Sequence, residues 1–263
     1  MPSLLEGKTA LILGVANRWS LAFAIAQAFV REKAQLIVTY QGDRQKETVE
    51  ELAKELGAQP ISCDVTRDDQ LTALTKVLAD QGTVLNAMVH SIAFANREDL
   101  SRPFVETPRE GFSLAQDVSA YSLLAVARAT KPLMAPPDRG GGSITTLTYL
   151  GSTRVVENYN VMGVAKASLE ATMRYLASDL GPSNIRVNAI SAGAVKTASA
   201  RGVRGLSEMI EGAARLAPLR RKTEPAEVAD TAVFLASDLG RGVTGNVLFV
   251  DAGIQIMGFT RPE

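Results

Sequence analysis

A chain of 263 residues, 46% hydrophobic and 21% charged, is long enough to bury one large α/β core or two small ones. Its formal net charge is zero, which gives no general pull toward nucleic acid or an anionic membrane. One cysteine and one histidine exclude an internal disulfide and a multi-histidine metal site, so no metal is expected.

Lys8 to Leu13 is a short apolar run ending at Gly14, and it reads as a buried strand. A helix follows from Ser20 to Arg31. Gln35 to Tyr40 is a second strand, Asp43 to Leu56 an amphipathic helix stopped by Gly57. Pro60 to Val65 is a third strand and contains the one cysteine, Cys63, which suits a buried, inert thiol. Asp68 to Ala79 reads as a helix, and Val84 to His90 as a fourth strand. Thr107 to Met134 holds one or two helices, closed by Pro136-Pro137. Three glycines from Gly140 turn the chain into a fifth strand, Ser143 to Tyr149. A long helix spans Asn158 to Leu180. Ile185 to Ile190 is a sixth strand, and 194–221 is a long, partly helical excursion. Glu224-Pro225 opens a last helix, with proline in the first turn. Asn246 to Val250 is a seventh strand. No apolar run approaches a membrane span, and the N-terminus lacks a basic head with an apolar signal core. A soluble, cytoplasmic protein is expected.

Strands and helices alternate about every 25 residues, as in βαβ units. The rhythm predicts an α/β fold: one domain over residues 1–263, a doubly wound, seven-stranded parallel sheet with helices on both faces. Ligands of such sheets bind beyond the carboxyl ends of the strands, where strand order reverses. The first such turn is Gly14-Val-Ala-Asn-Arg-Trp-Ser20-Leu21-Ala-Phe-Ala24, poor in glycine but rich in small residues. Small side chains let a pyrophosphate approach helix N-terminal amides, and Ser20 offers a hydroxyl. An ordinary βα loop fits this stretch alone equally well. Asp64-Val65 and His90-Ser91-Ile92-Ala93 follow the third and fourth strands and can meet adenine and ribose. Gln41 stands where an acid would hold a ribose 2′-hydroxyl, and Arg44 is the one nearby cation, aimed at solvent. The absence of a 2′-phosphate partner favours NADH over NADPH. His90, apolar on both flanks, reads as a core histidine.

Tyr159 and Lys166 lie seven residues apart. In a helix that is about 20° short of two turns, with about 10 Å of rise, so one face carries both. A phenol can donate to a reacting oxygen, and an ammonium makes phenolate less costly and grips hydroxyls. A surface lysine beside a half-buried tyrosine is the ordinary fate of such a pair.

The assembled residues resemble enoyl-acyl-carrier-protein reductases of the bacterial and plastid type, a Rossmann-like, divergent branch of the short-chain dehydrogenase/reductases. The resemblance runs from Gly7 to about Gly253. Its most specific part is Tyr149 with Tyr159-Asn-Val-Met162-Gly-Val-Ala-Lys166; Val89 to Ala95, Arg186 to Gly193 and Arg220-Arg221 support it. Ordinary short-chain enzymes place lysine four residues after tyrosine, where this chain has Gly163, and have an upstream serine, where it has Tyr149. Ala24 and Ala194 replace the glycine and proline usual in the reductases.

The resemblance implies catalytic Tyr149, Tyr159 and Lys166. It implies cofactor contacts from Gly14, Ser20, Leu21, Gln41, Asp64, Val65, Ser91, Ile92 and Lys166. Val195, Thr197, Ala198 and Ser199 would cover the nicotinamide and pyrophosphate. Ala95, Tyr149, Tyr159 and Met162 would surround the substrate. NADH would deliver hydride to Cβ of an enoyl thioester, while Tyr159 O–H stabilises charge on the thioester oxygen. A ketone reductase sends hydride and proton to adjacent atoms; here the oxygen lies two bonds farther from the carbon that takes the hydride, which accounts for the longer Tyr–Lys spacing. The implied partners are an acidic acyl carrier protein and three further copies of the chain. The tetramer expectation rests also on Leu123, Leu124, Val126 and Leu133 and on Leu169, Met173 and Leu176, two apolar sets of which one would be left uncovered. Residues 194–221 would form a mobile lid whose Lys196, Arg201, Arg204, Arg215, Arg220 and Arg221 meet the carrier, although Arg220 and Arg221 also suit structural ion pairs. The rivals are an ordinary 3-oxoacyl or alcohol dehydrogenase and a non-catalytic NAD-sensing or scaffold protein.

Overall fold

The computed structural model of the chain describes residues 3–196 and 205–258. Its strands are β1 (Thr9–Leu13), β2 (Gln35–Tyr40), β3 (Gln59–Ser62), β4 (Ala87–His90), β5 (Gly142–Thr148), β6 (Ile185–Ala192) and β7 (Val247–Val250). They pair in the order β3-β2-β1-β4-β5-β6-β7. Every pairing is parallel. Order reverses between β1 and β4, so the ligand crevice opens beyond Leu13 and His90.

Sequence and burial agree at the centre of the sheet, whereas β3 ends at Ser62, before the Cys63 expected inside it. The central β4 and β5 are buried throughout, as unbroken apolar and β-branched runs require when both sheet faces are covered. β3 lies at an edge and tolerates Pro60, which has no N–H for a further neighbour.

The helices are α1 (Leu21–Arg31), α2 (Asp43–Leu56), α3 (Asp68–Asp80), α4 (Arg97–Ser101), α5 (Arg109–Gln116), α6 (Ser122–Thr130), α7 (Asn160–Leu180), α8 (Leu206–Leu216) and α9 (Pro225–Ala236). α2 has the bounds read from the sequence because Gly57 ends it in the left-handed conformation, φ 63°. On one face, Ile25, Phe29, Val49, Val228 and Leu235 of α1, α2 and α9 pack into one core. On the other, Leu74, Leu123, Leu169 and Met173 of α3, α6 and α7 form a second. The apolar sets of α6 and α7 expected to compete for a partner are therefore mostly used within the chain. Leu123, Val126, Leu169, Met173 and Leu176 are buried, Leu133 packs against the same core, and Leu124 stays exposed.

Between α5 and α6 the chain widens into a π-helical turn, Asp117–Tyr121. Such turns recur at functional sites. This one sets Ser119 against the loop after β4: its hydroxyl accepts from Phe94 N–H at 3.0 Å and contacts the Phe94 carbonyl at 3.1 Å. No described helix is long and apolar enough to cross a membrane.

Candidate active site

The strand ends gather most of the expected residues along one edge. Gly14 has φ 97°, and a Cβ there would stand 2.1 Å from the Ser91 carbonyl oxygen. Glycine is thus demanded by the neighbouring loop, and the crevice floor is two backbones in contact. Ser20 caps α1: its hydroxyl accepts from Phe23 N–H at 3.2 Å and donates to Asn17 O at 2.8 Å. The cap presents the first amides of α1, at Leu21 and Ala22, at the positive end of the helix dipole. Ala24 packs against the core without needing to be glycine.

Gln41 and Asp64, read separately in the sequence, are bonded to each other. Gln41 Nε2–H donates to Asp64 Oδ2 at 2.9 Å, and Thr66 donates to Oδ1 through its amide and hydroxyl. Burial opposes the Asp64 charge, but these hydrogen bonds outweigh it and hold the carboxyl below its ordinary value. Val65 is buried beneath it, Ile92 half-buried, and Arg44 exposed. A neutral amide and an ionised carboxylate at this edge fit hydroxyl and amino groups of an adenosine and offer a 2′-phosphate no partner. The switch point, helix N-terminus and polar edge together fit a dinucleotide. Cys63, alongside, is buried, and desolvation before the nearby Asp64 pushes its thiol up to about 11.

His90 is buried and held at both ring nitrogens. Nε2 lies 2.8 Å from Ser122 Oγ, and Nδ1 lies 3.0 Å from Thr146 Oγ1. Ser122 gives its own proton to the Val118 carbonyl, so its oxygen must accept from Nε2–H. Burial and then the Lys166 charge push the imidazole down to about 3. His90 is a neutral pillar between β4, β5 and α6.

Tyr159 sits one residue before α7 and caps it, so the helix starts two residues later than Asn158. The cause is backbone: Asn158 and Asn160 have φ 59° and 30°, outside the helical well. The Tyr159 carbonyl accepts from Met162 and Gly163 N–H, which carries the tyrosine into the helical ladder. Its ring meets Tyr149 edge-on, centroids 5.0 Å apart at 69°. Burial, then Tyr149, raises the phenol, which keeps it a protonated donor at neutral pH. Tyr149 is likewise raised by burial and then Asp251, and its hydroxyl contacts Met209 Sδ at 3.7 Å.

Lys166 is buried one turn before Glu170, and its Nζ donates to Leu147 O at 2.7 Å. Burial draws the ammonium down to about 8, against the pull of Glu170. The Glu170 carboxylate accepts from Thr148 at 2.7 Å. Below Tyr159, Ala95, Met162, Leu100, Val161 and Ala165 form a small apolar cluster with Met209 of α8.

Two glycines decide the tyrosine–lysine spacing. A Cβ on Gly163 would stand 2.8 Å from the Gly151 carbonyl oxygen, and one on Gly151 would stand 2.5 Å from the Tyr159 ring. A lysine at 163 therefore does not fit this backbone. Sequence reading gave Gly151 no role, nor did it find Asn160, the Thr148–Glu170 bond or the Gln41–Asp64 bond. The only sequence signal was an isolated glycine at each helix-facing position.

Val195, three residues past β6, is half-buried, and Lys196 is exposed. Thr197, Ala198, Ser199, Arg201 and Arg204 lie outside the described residues. Within the rest of 194–221, Arg221 pairs with Glu227 through both nitrogens, at 2.9 and 2.6 Å, as suited a structural role. Arg220 instead donates to the Arg215 carbonyl, with φ 52°.

Comparison with known proteins agrees along nearly the whole chain. The model of the family described as enoyl-(acyl carrier protein) reductase matches residues 14–255. An NADH-named enoyl-[acyl-carrier-protein] reductase of Bacillus cereus is 52% identical over 97% of this chain and 99% of its own. An NADPH-named one of Staphylococcus aureus is 48% identical over 95% of this chain and 98% of its own. The crystal structure of the Bacillus cereus enzyme with NADP+ and an indole naphthyridinone superposes with a TM-score of 0.93, at 50% identity, covering 97% of this chain and 99% of that one. With the reversed strand order, the paired tyrosines and the buried lysine beside them, this chain belongs to the enoyl-(acyl carrier protein) reductase family.

Proposed function

We propose that this chain reduces the 2,3 double bond of trans-2-enoyl thioesters borne on acyl carrier protein, with NADH as reductant. The observation that carries this reading is the Tyr149–Tyr159 pair, backed by a Gly163 that no side chain can replace without displacing Gly151.

NADH, when bound, supplies the hydride that reduces Cβ. Tyr159 O–H donates to the thioester oxygen and stabilises the enolate charge that develops there. The raised phenol favours hydrogen-bond donation over full ionisation. Lys166, buried on the same wall, places positive potential beneath that oxygen and presents donors to a ribose. Tyr149 shapes the pocket and orients the thioester through its edge contact. Ala95, Met162 and Met209 form an apolar wall for the acyl chain and keep water from the reacting carbons. The Cα proton comes from Tyr159 or from water relayed along the ribose. Gln41, bonded to Asp64, offers no charge to a 2′-phosphate, which supports NADH over the NADPH of the Staphylococcus aureus relative.

The same reading takes 194–221 as the lid of a single domain, working in the cytoplasm on a soluble carrier. Its basic residues suit an acidic partner, and Arg201 and Arg204 carry that expectation because Arg221 is engaged with Glu227. A tetramer draws its support from apolar side chains left exposed on α6 and α7: Leu124, Val164 and Tyr175.

The test is NADH oxidation with crotonyl-CoA against acetoacetyl-CoA. Turnover of the enoyl substrate alone is expected. Preferential turnover of the ketone would assign the ordinary short-chain chemistry. NADH binding without turnover would assign a sensor, and a higher kcat/KM with NADPH would overturn the cofactor preference.

A further inference from the structure

The backbone around Tyr159 is the most contorted stretch of α7. Asn158 (φ 59°) and Asn160 (φ 30°) flank Tyr159, itself at φ −111°, ψ −24°. Asparagine is the side-chain-bearing residue that tolerates positive φ best, but such conformations persist only where the surroundings hold them. At Asn160 the holder is visible. Its half-buried Nδ2–H donates to the Arg102 carbonyl at 2.6 Å, across 58 residues of chain.

Arg102 is the C-cap of α4, and α4 is itself pinned. Asp99, 1% exposed, accepts from Asn96 Nδ2–H at 3.0 Å and pairs with Arg102 Nε at 3.2 Å. Gly111 of α5 leaves no room beside it: a Cβ there would stand 2.0 Å from Asp99 Oδ2. The residue whose carbonyl Asn160 grips is thus paired through its side chain with a buried carboxylate, and Asn96 follows directly on Ala95 of the apolar wall.

We propose that Asn160 is a positioning residue: its amide clamps the first turn of α7 to the end of α4 and so sets the Tyr159 hydroxyl against the thioester oxygen. The clamp rests on the reading of Tyr159 as that donor. It ties the donor to the wall that seats the acyl chain, so phenol and substrate keep one frame of reference. Small displacements of a catalytic group cost about 10²-fold in rate, which gives such a clamp its value.

Asn160→Asp keeps shape and tolerance of positive φ but loses the N–H donor and sets a carboxylate against a carbonyl. With crotonyl-CoA and NADH, kcat is expected to fall roughly tenfold, with KM for NADH changed less than about twofold. In a Tyr159→Phe background the same substitution should lower kcat by less than about twofold, because there is no hydroxyl left to misplace. An unchanged kcat in the single variant, or the same fold-loss in both backgrounds, would overturn the proposal. Should Asn160→Asp not fold, Asn160→Gly keeps the backbone freedom, removes the amide and runs through the same cycle. Near-normal turnover by Tyr159→Phe would remove the donor reading itself; a large loss there with additive Asn160 effects would remove only the clamp.

Discussion

On one side of Tyr149 stand β4, β5, α6 and α7, whose buried polar side chains bond to one another or to backbone carbonyls. On the other lies α8, which meets the Tyr149 hydroxyl through the Met209 sulfur at 3.7 Å. His90, Thr146, Ser122, Thr148, Lys166 and Glu170 are each buried and each hydrogen-bonded. In α8 the polar groups face water: Glu211 pairs with Lys222, and the neighbouring Arg221 pairs with Glu227, all exposed or nearly so. Exposed pairs contribute little to stability, whereas a buried donor stripped of its partner is costly. The first region is therefore suited to hold a donor still while charge develops. The second meets the site through a soft, adaptable contact, which is what the proposed lid needs.

The comparison breaks most sharply at Tyr159. Removing one well-aimed donor costs on the order of 10²–10³ in rate elsewhere, and Tyr159→Phe is expected to lower kcat for crotonyl-CoA by that much. Melting should be little altered, since the ring contact with Tyr149 remains. A variant with near-normal kcat would show that the fixed region is not the reacting one.

A smaller effect tests whether that region is dry. Lys166 is drawn down to about 8 by burial, from the ordinary value of 10.5. Below about pH 8 folded and unfolded chains both carry the proton, and the full burial cost bears on the folded state. Between there and 10.5 only the unfolded chain keeps the proton, so stability gains as pH rises. The Tm of cofactor-free protein relative to Lys166→Met should therefore climb by several degrees from pH 7.5 to 10. A flat difference would mean that water reaches the ammonium.

The smallest effect is expected on the soft side. Met209→Ala removes a flexible contact to Tyr149 and to the apolar wall. It should raise KM for a long-chain enoyl thioester by a few-fold while leaving kcat for crotonyl-CoA within about twofold. A large fall in kcat with both substrates would place Met209 with the fixed region.

Much of this was legible in the sequence. The βα rhythm gave the succession of strands, and an apolar run marked β1 as buried. Gly57 marked the end of α2, and apolar flanks marked His90 as a core residue. The resemblance located Tyr149, Tyr159 and Lys166. Helical periodicity also placed the tyrosine inside α7, and there it failed, because positive φ at Asn158 and Asn160 delays the helix to Asn160. Likewise, counting apolar faces on α6 and α7 suggested an uncovered set, but most of those residues are buried within the chain.

What the sequence determined by itself is the local and periodic part: which segments are strands and helices, that the sheet is parallel, and which residue types crowd its carboxyl edge. These follow from side-chain alternation, helical repeat and turn chemistry, all short-range. Only the tertiary structure decided how residues far apart in the chain constrain one another. Ser91 requires Gly14 to be glycine, Gly151 bars a side chain at 163, Asp64 engages Gln41, and the Arg102 carbonyl holds Asn160. Close contacts and hydrogen bonds act over about 3 Å in space without regard to chain separation, and no sequence period encodes them.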